Sequence, residues 1–340
     1  MADEDYHMCA WKLQGGDIPS WVKERLPKKS ERVVEKPDCR AKVSRSDIQN
    51  GGRFRSVVKV RTVIGDWVCQ GTGWLIQDDL VVTAGHLVVD VPSKKYNMQT
   101  FATIVQVYIG YSGKDTMDSE DVDFREGTVV VVPRNYATKK IPVHDFAFVQ
   151  LNQPFDNVSP IQPLVTPHSG HDKLCIVGYP TDKKKYLNRR SEKGAEMYED
   201  HAKVEWDLGV YEGLLAYKIS TYNGNSGSPV LYKEGDITFA IGTHVKSNHI
   251  WNFASPITKD SVNSYDSIMK HFFSGVWPSP LPNSFPRNTH VEVHRLHLAE
   301  PPPLPRPPRP PRRANARRMQ RIDGRLQQWR FSAVRHRGAP

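Results

Sequence analysis

Short apolar stretches recur along most of the chain, at residues 54–60, 73–76, 80–83, 103–108, 128–132, 146–151, 174–177, 214–219, 230–232 and 237–241. Some alternate apolar with polar positions and others are apolar throughout. Turn residues such as Gly51-Gly52 and Gly110-Tyr111-Ser112-Gly113 bound most of them. Pieces of this length and period read as strands, and many short strands between turns predict an all-β sandwich or barrel. Periodicity alone leaves both open. One stretch has the other period. Val262, Tyr265, Ile268, Met269 and Phe272 recur at steps of three and four after Asp260 and Ser261, which predicts an amphipathic helix packed on the core, with Gly275 as its stop.

The strand pattern fails at both ends, which divides the chain into residues 1–50, 51–275 and 276–340. The first segment is polar and lysine-rich, without the apolar core of a secretory leader. The last holds 13 of the chain's 26 prolines, 13 arginines, three acids and no lysine. Its surplus of positive charge equals the formal +10 of the whole chain, so residues 1–275 sum to neutrality and the basic balance says nothing about the middle segment. A tail of this composition buries too little apolar surface to offset its ordering entropy, so disorder is expected, with polyproline II favoured over residues 301–311. Pro307, Pro310 and Arg312 fit the P-x-x-P-x-R spacing that docks on an SH3-like groove. The arginines from Arg312 to Arg325 suit an anionic surface, nucleic-acid phosphates included.

Candidate chemistry sits where strands end. Leu80-Val81-Val82-Thr83-Ala84-Gly85-His86 is an apolar strand closing in a small-residue turn that presents a histidine. His144-Asp145-Phe146-Ala147-Phe148-Val149-Gln150-Leu151 sets an aspartate before an alternating strand, with His144 as a rival to His86. Asn223-Gly224-Asn225-Ser226-Gly227-Ser228-Pro229-Val230 places a serine in a glycine turn before a third strand. A serine hydroxyl is a poor nucleophile until a base takes its proton, and imidazole suits that task near neutral pH. A carboxylate fixes the ring's tautomer and stabilises the imidazolium. Gly224 frees the backbone, so that the N–H groups of Gly224 and Ser226 can meet a developing oxyanion. A G-x-S-x-G esterase elbow is excluded, because no glycine lies two residues after Ser226 and His86 precedes it.

T-A-G-H, D-F-A-F-V-Q-L and G-N-S-G-S-P together resemble the signature blocks of the chymotrypsin-like serine proteases, and more narrowly the glutamyl endopeptidase branch with its fungal and bacterial relatives. The resemblance runs from about Asp38-Cys39-Arg40 to Asn252-Phe253-Ala254-Ser255. It implies two packed six-stranded antiparallel barrels with the site in the cleft, a closing C-terminal helix, and a serine endopeptidase working through His86, Asp145 and Ser226. It also implies that Thr221 and His244 hold a substrate glutamate, a role for which hydroxyl and imidazole donors are suited. Ser220 stands where an aspartate would bind Lys or Arg, against trypsin-like specificity. Where the family often has Trp-Gly-Gly, this chain has Val245-Lys246-Ser247, which narrows the groove and lets Lys246 add charge for an acidic residue. Asn225 replaces the aspartate that pairs with a newly freed amino terminus in trypsin-like enzymes, so activity is expected without that ion pair. The segment before Asp38 is the candidate propeptide.

Protein or peptide substrates are the expected partners. The competing class is an inactive protease-like scaffold that binds partners through the Pro/Arg-rich tail. No cofactor is needed, and no metal is expected, since residues 115–123 lack calcium-ligand spacing. Cys9, Cys39, Cys69 and Cys175 have no metal-ligand spacing either and read as buried thiols. With no apolar run long enough to span a bilayer and no leader visible, cytoplasmic or nuclear residence is expected ahead of secretion.

Overall fold

The computed structural model describes residues 8–24, 38–90, 100–187, 190–248, 250–259 and 261–273. The Pro/Arg tail, Asp260 and Gly275 lie outside them. The principal elements are β1 (Met8–Lys12), β2 (Val57–Ile64), β3 (Trp67–Gln77), β4 (Leu80–Thr83), β5 (Thr100–Ile109), β6 (Asp123–Pro133), α1 (Arg134–Lys139), β7 (Ala147–Leu151), β8 (Ser169–Gly178), β9 (Tyr198–Asp207), β10 (Leu215–Tyr217), β11 (Pro229–Glu234), β12 (Ile237–Ser247), β13 (Asn252–Pro256) and α2 (Tyr265–Phe272). The fold is all-β.

Six strands of the first sheet close on themselves in the order β6-β7-β4-β3-β2-β5, and β5 returns to β6 through pairs from Gln106↔Glu126 to Ile109↔Asp123. Closure leaves no free edge among the six and lets inward side chains fill the interior. Val58, Val60, Leu75, Val81, Val105, Val107, Val130 and Val149 form that core. The second sheet runs β10-β13-β12-β11-β8-β9. It has the six strands expected, but its end strands β9 and β10 share no ladder, so it is a half-barrel and not the second closed barrel that the resemblance implied. The free edge of β9 pairs with Ala41–Lys42, and β10 has only three residues to offer. Leu174, Ile176, Val230 and Ile241 pack on its inner face.

Two segments that read as polar also pack. β1 lies inside the segment read as polar and pairs with β6 from Met8↔Pro133 to Lys12↔Val129. Trp11 there is buried in the barrel core and donates its indole N–H to Ala102 O at 2.9 Å. Residues 38–43 run along β9, with Val43 N–H donating to Met197 O.

The predicted helix is present. Ser264 caps it by accepting the Ser267 N–H, and Tyr265, Ile268 and Phe272 turn inward. Tyr265 lies among Trp74, Phe146 and Phe148, ring centroids 6.2, 5.1 and 5.0 Å away, so the helix closes the outer face of the barrel as the sequence pattern requires. No disulfide joins the four cysteines. Cys69 is buried, but Cys39 is exposed, and Cys9 and Cys175 are half-buried, a correction to the expectation that all four lie inside. Among the described residues no helix is long and apolar enough to cross a membrane and no cluster of side chains could hold a metal ion.

Candidate active site

Strand pairing brings the first two candidates together. β4 and β7 are antiparallel neighbours with Thr83 opposite Ala147. The turn after β4 and the turn before β7 therefore lie at the same end of the ladder. The first, Gly85–Leu87, carries His86, and the second, Pro142–His144, delivers Asp145. Asp145 is 7% exposed and grips His86 twice. Its Oδ1 accepts the His86 backbone N–H at 2.8 Å and its Oδ2 lies 2.9 Å from Nδ1 of the ring. A carboxylate oxygen accepts, so Nδ1 carries the proton, and the neutral ring keeps its lone pair on Nε2. The rival His144 faces away, its Nδ1 2.7 Å from Asn263 Oδ1.

The serine turn is stitched to both sheets. Ser226 O accepts from Thr72 N–H of β3 at 2.9 Å, and Gly227 N–H donates to His244 O of β12 at 2.7 Å. Gly227 has φ +86, and a Cβ there would meet Thr72 O at 2.0 Å, so only glycine allows this approach. Inside the turn Asn225 N–H donates to Tyr222 O and Ser228 N–H to Asn225 O. Among the described residues, the N–H groups of Gly224 and Ser226 donate to no carbonyl. Gly224 is held by its own carbonyl, which accepts the Thr72 hydroxyl at 2.7 Å, while the same hydroxyl accepts Tyr179 N–H at 3.1 Å. The carbonyl of Asn223 accepts Thr181 N–H at 2.7 Å. In a trans peptide C=O and N–H point in opposite directions, so this bond aims Gly224 N–H away from Thr181. His86, Asp145, Gly224 and Ser226 line one cavity of about 420 Å³. Two N–H groups that donate to no carbonyl among the described residues, a histidine oriented by a buried carboxylate and a serine on one cleft are the parts that acyl transfer requires.

The residues read as specificity determinants separate. Lys246 lines the cavity, with Val245, Lys140, Lys193, Glu24 and Asp90. Ser220, Thr221 and His244 do not line it. They are buried, at 2%, 1% and 4% exposure. Thr221 already donates its hydroxyl to Asn252 Oδ1 at 2.6 Å, and Ser220 N–H donates to Asp200 Oδ2 at 2.9 Å. His244 Nδ1 lies 2.6 Å from the Tyr217 hydroxyl. Burial, helped by the charge of His86, pushes the His244 pKa down to about 3, so this imidazole is neutral at any working pH. Asn225 is buried, its Oδ1 has no hydrogen-bond partner among the described residues, and it can form no ion pair.

Several contributors were not read from sequence: Thr72, Thr181, Tyr217, Asn252 and Lys140. Thr72 had a visible signal, since it lies between Gly71 and Gly73 where side chains are otherwise removed. The others are defined only by partners far along the chain.

Residues 71–238 match the trypsin-like peptidase domain family. The chain carries a trypsin-like peptidase domain. The domain has the chymotrypsin-like fold of a serine protease. A Glu endopeptidase solved in complex with MPD superposes with a TM-score of 0.52 at 22% identity, covering 70% of this chain and 98% of that one. A thermostable serine protease, AL20, from an extremophilic microorganism gives 0.50 at 16% identity, with 64% and 98% covered. At these identities the likeness is one of fold. No curated protein matches the chain.

Proposed function

We propose that the protein is a serine endopeptidase that cleaves after acidic residues, glutamate above all. The observation that carries the first part is the double grip of Asp145 on His86 at a cavity shared with Ser226 and Gly224. The Ser226 hydroxyl oxygen bonds to the scissile carbonyl carbon while its proton passes to Nε2 of His86. Asp145 holds the ring and stabilises the imidazolium. The carbonyl electron pair moves onto oxygen, where the N–H groups of Gly224 and Ser226 receive it. Collapse breaks the C–N bond, the imidazolium protonates the departing amine, and water, activated by the same imidazole, releases the acid from Ser226.

Acidic preference is supported by charge. Lys140, Lys193 and Lys246 line the cavity, and none forms an ion pair among the described residues. Lys246 is held over the Phe253 ring at 5.3 Å. The Glu endopeptidase among the structural neighbours agrees with this reading. With Thr221 engaged by Asn252 and His244 buried outside the cavity, the charge of Lys246 replaces the two donors that the sequence suggested.

A synthetic peptide library digested by wild type, Ser226→Ala and Lys246→Ala tests both parts. Wild type is expected to cut behind Glu and Ser226→Ala nothing. Lys246→Ala should raise KM for acidic peptides roughly fivefold, the worth of a partly exposed charge pair of about 1 kcal/mol. Cleavage with no acidic enrichment removes the preference, and a folded wild type that cuts nothing replaces the peptidase with the protease-like scaffold.

A further inference from the structure

Arg40 belongs to the segment ahead of the closed barrel, yet it is 8% exposed. Its guanidinium makes a two-pronged contact with Asp182, Nη1 to Oδ1 at 3.0 Å and Nη2 to Oδ2 at 2.5 Å. It makes a second contact of the same kind with Asp38, Nε to Oδ1 and Nη2 to Oδ2, both at 2.9 Å. Asp38 also takes the Lys183 ammonium at 2.9 Å. Residues 38 and 40 therefore clasp the turn at 182–183 through an acid and a base in each direction. Planar paired contacts of this kind fix geometry as well as charge. Burial pulls the Arg40 pKa down, and the hydrogen bonds and charges of Asp38 and Asp182 more than reverse it, so the guanidinium stays charged.

The clasped turn is one residue from the candidate site. Thr181 N–H holds the Asn223 carbonyl at 2.7 Å, the bond that aims Gly224 N–H away from Thr181. A Cβ on Gly224 would touch Thr181 Cγ2 at 3.0 Å and Thr181 N at 3.2 Å, so the two backbones are in direct contact. Displacing the 181–183 turn thus frees the Asn223–Gly224 peptide to rotate, and rotation would put a carbonyl where an N–H is needed. Asn225, uncharged, offers no ion pair beneath the loop.

We propose that Arg40 is a positioning residue for the oxyanion hole, acting through Asp182 and Thr181 on the Asn223–Gly224 peptide. The proposal rests on the serine endopeptidase reading. It makes the 38–43 segment part of the working enzyme.

The test uses the full chain with Arg40→Met, Arg40→Lys, Asp182→Asn and the Arg40→Met/Asp182→Asn double variant, assayed on a cleavable peptide and with a fluorophosphonate probe. Arg40→Met is expected to lower kcat and the labelling rate at least tenfold while KM moves less than threefold, because ground-state binding does not need the hole. Asp182→Asn should do the same and the double variant no worse than either single one, since both break one linkage. Arg40→Lys should recover part of kcat by restoring charge without the fork. A fall in melting temperature with kcat and labelling rate per folded molecule unchanged would overturn the proposal, as would fully additive losses. Wild type that neither labels nor cleaves would overturn the peptidase reading itself, and this inference with it.

Discussion

Gly224→Ala is the sharpest perturbation of the proposed hole. Gly224 has φ +97, a conformation that costs an L-residue about 1–3 kcal/mol. Space is tighter still, for the new Cβ would stand 2.2 Å from Tyr179 O. That carbonyl belongs to the backbone, and its residue is fixed by the Thr72 hydroxyl, so the glycine loop and not the neighbour must yield. Any shift large enough to relieve the contact moves Gly224 N–H off the position where charge develops. One oxyanion donor is worth about 2.7–4 kcal/mol, or roughly a hundredfold to a thousandfold in kcat. The expected result is a fall of that size in kcat with KM changed severalfold at most. Active-site titration against a burst substrate normalises for folded enzyme, and thermal unfolding reports the strain separately. A Gly224→Ala enzyme with kcat within about threefold of wild type would refute the placement of the hole.

Two further outcomes follow from other parts of the structure. Asp145→Asn leaves the shape of the His86 contact but lets an amide favour the wrong ring tautomer, so kcat should fall about 10⁴-fold with the melting temperature little changed; a loss under tenfold would separate Asp145 from the chemistry. Lys59 is fully buried, donating to Gly194 O and to Gln70 Oε1 at 3.3 Å, and burial pushes its pKa down to about 7 from 10.5. Between those values the unfolded chain binds the extra proton, so stability should rise with pH across that window, by up to about 1.4 kcal/mol per unit, and level off outside it. Denaturant unfolding from pH 6 to 11 should show this slope in wild type and its loss in Lys59→Met; the same slope in both would remove Lys59 as its source.

Much of this was legible in the residues because the relevant order is local. β4 was read at its observed bounds because Leu80-Val81-Val82-Thr83 is wholly apolar but for its last residue and is bounded by turns. His86, Asp145 and Ser226 were visible because each follows or precedes such a strand in a turn of small residues. β9 escaped, since Tyr198-Glu199-Asp200-His201 is mostly polar and half-buried, and only Val204 and Trp206 along the strand are fully buried. β1 escaped because five residues around one tryptophan carry no period until β6 lies beside them. The Arg40–Asp182 contact joins residues 142 positions apart, and no spacing rule reaches that far. Thr221 is the reverse case. Its type suited a carboxylate, but only the fold reveals that Asn252 already holds the hydroxyl.

The central claim is that Ser226 is an activated nucleophile. It is tested most directly by incubating folded wild type and Ser226→Ala with a fluorophosphonate and mapping the adduct by peptide mass spectrometry. The account requires one adduct, on Ser226, formed by wild type alone and slowed by Asp145→Asn. No adduct on folded wild type, or one on another residue, would contradict it.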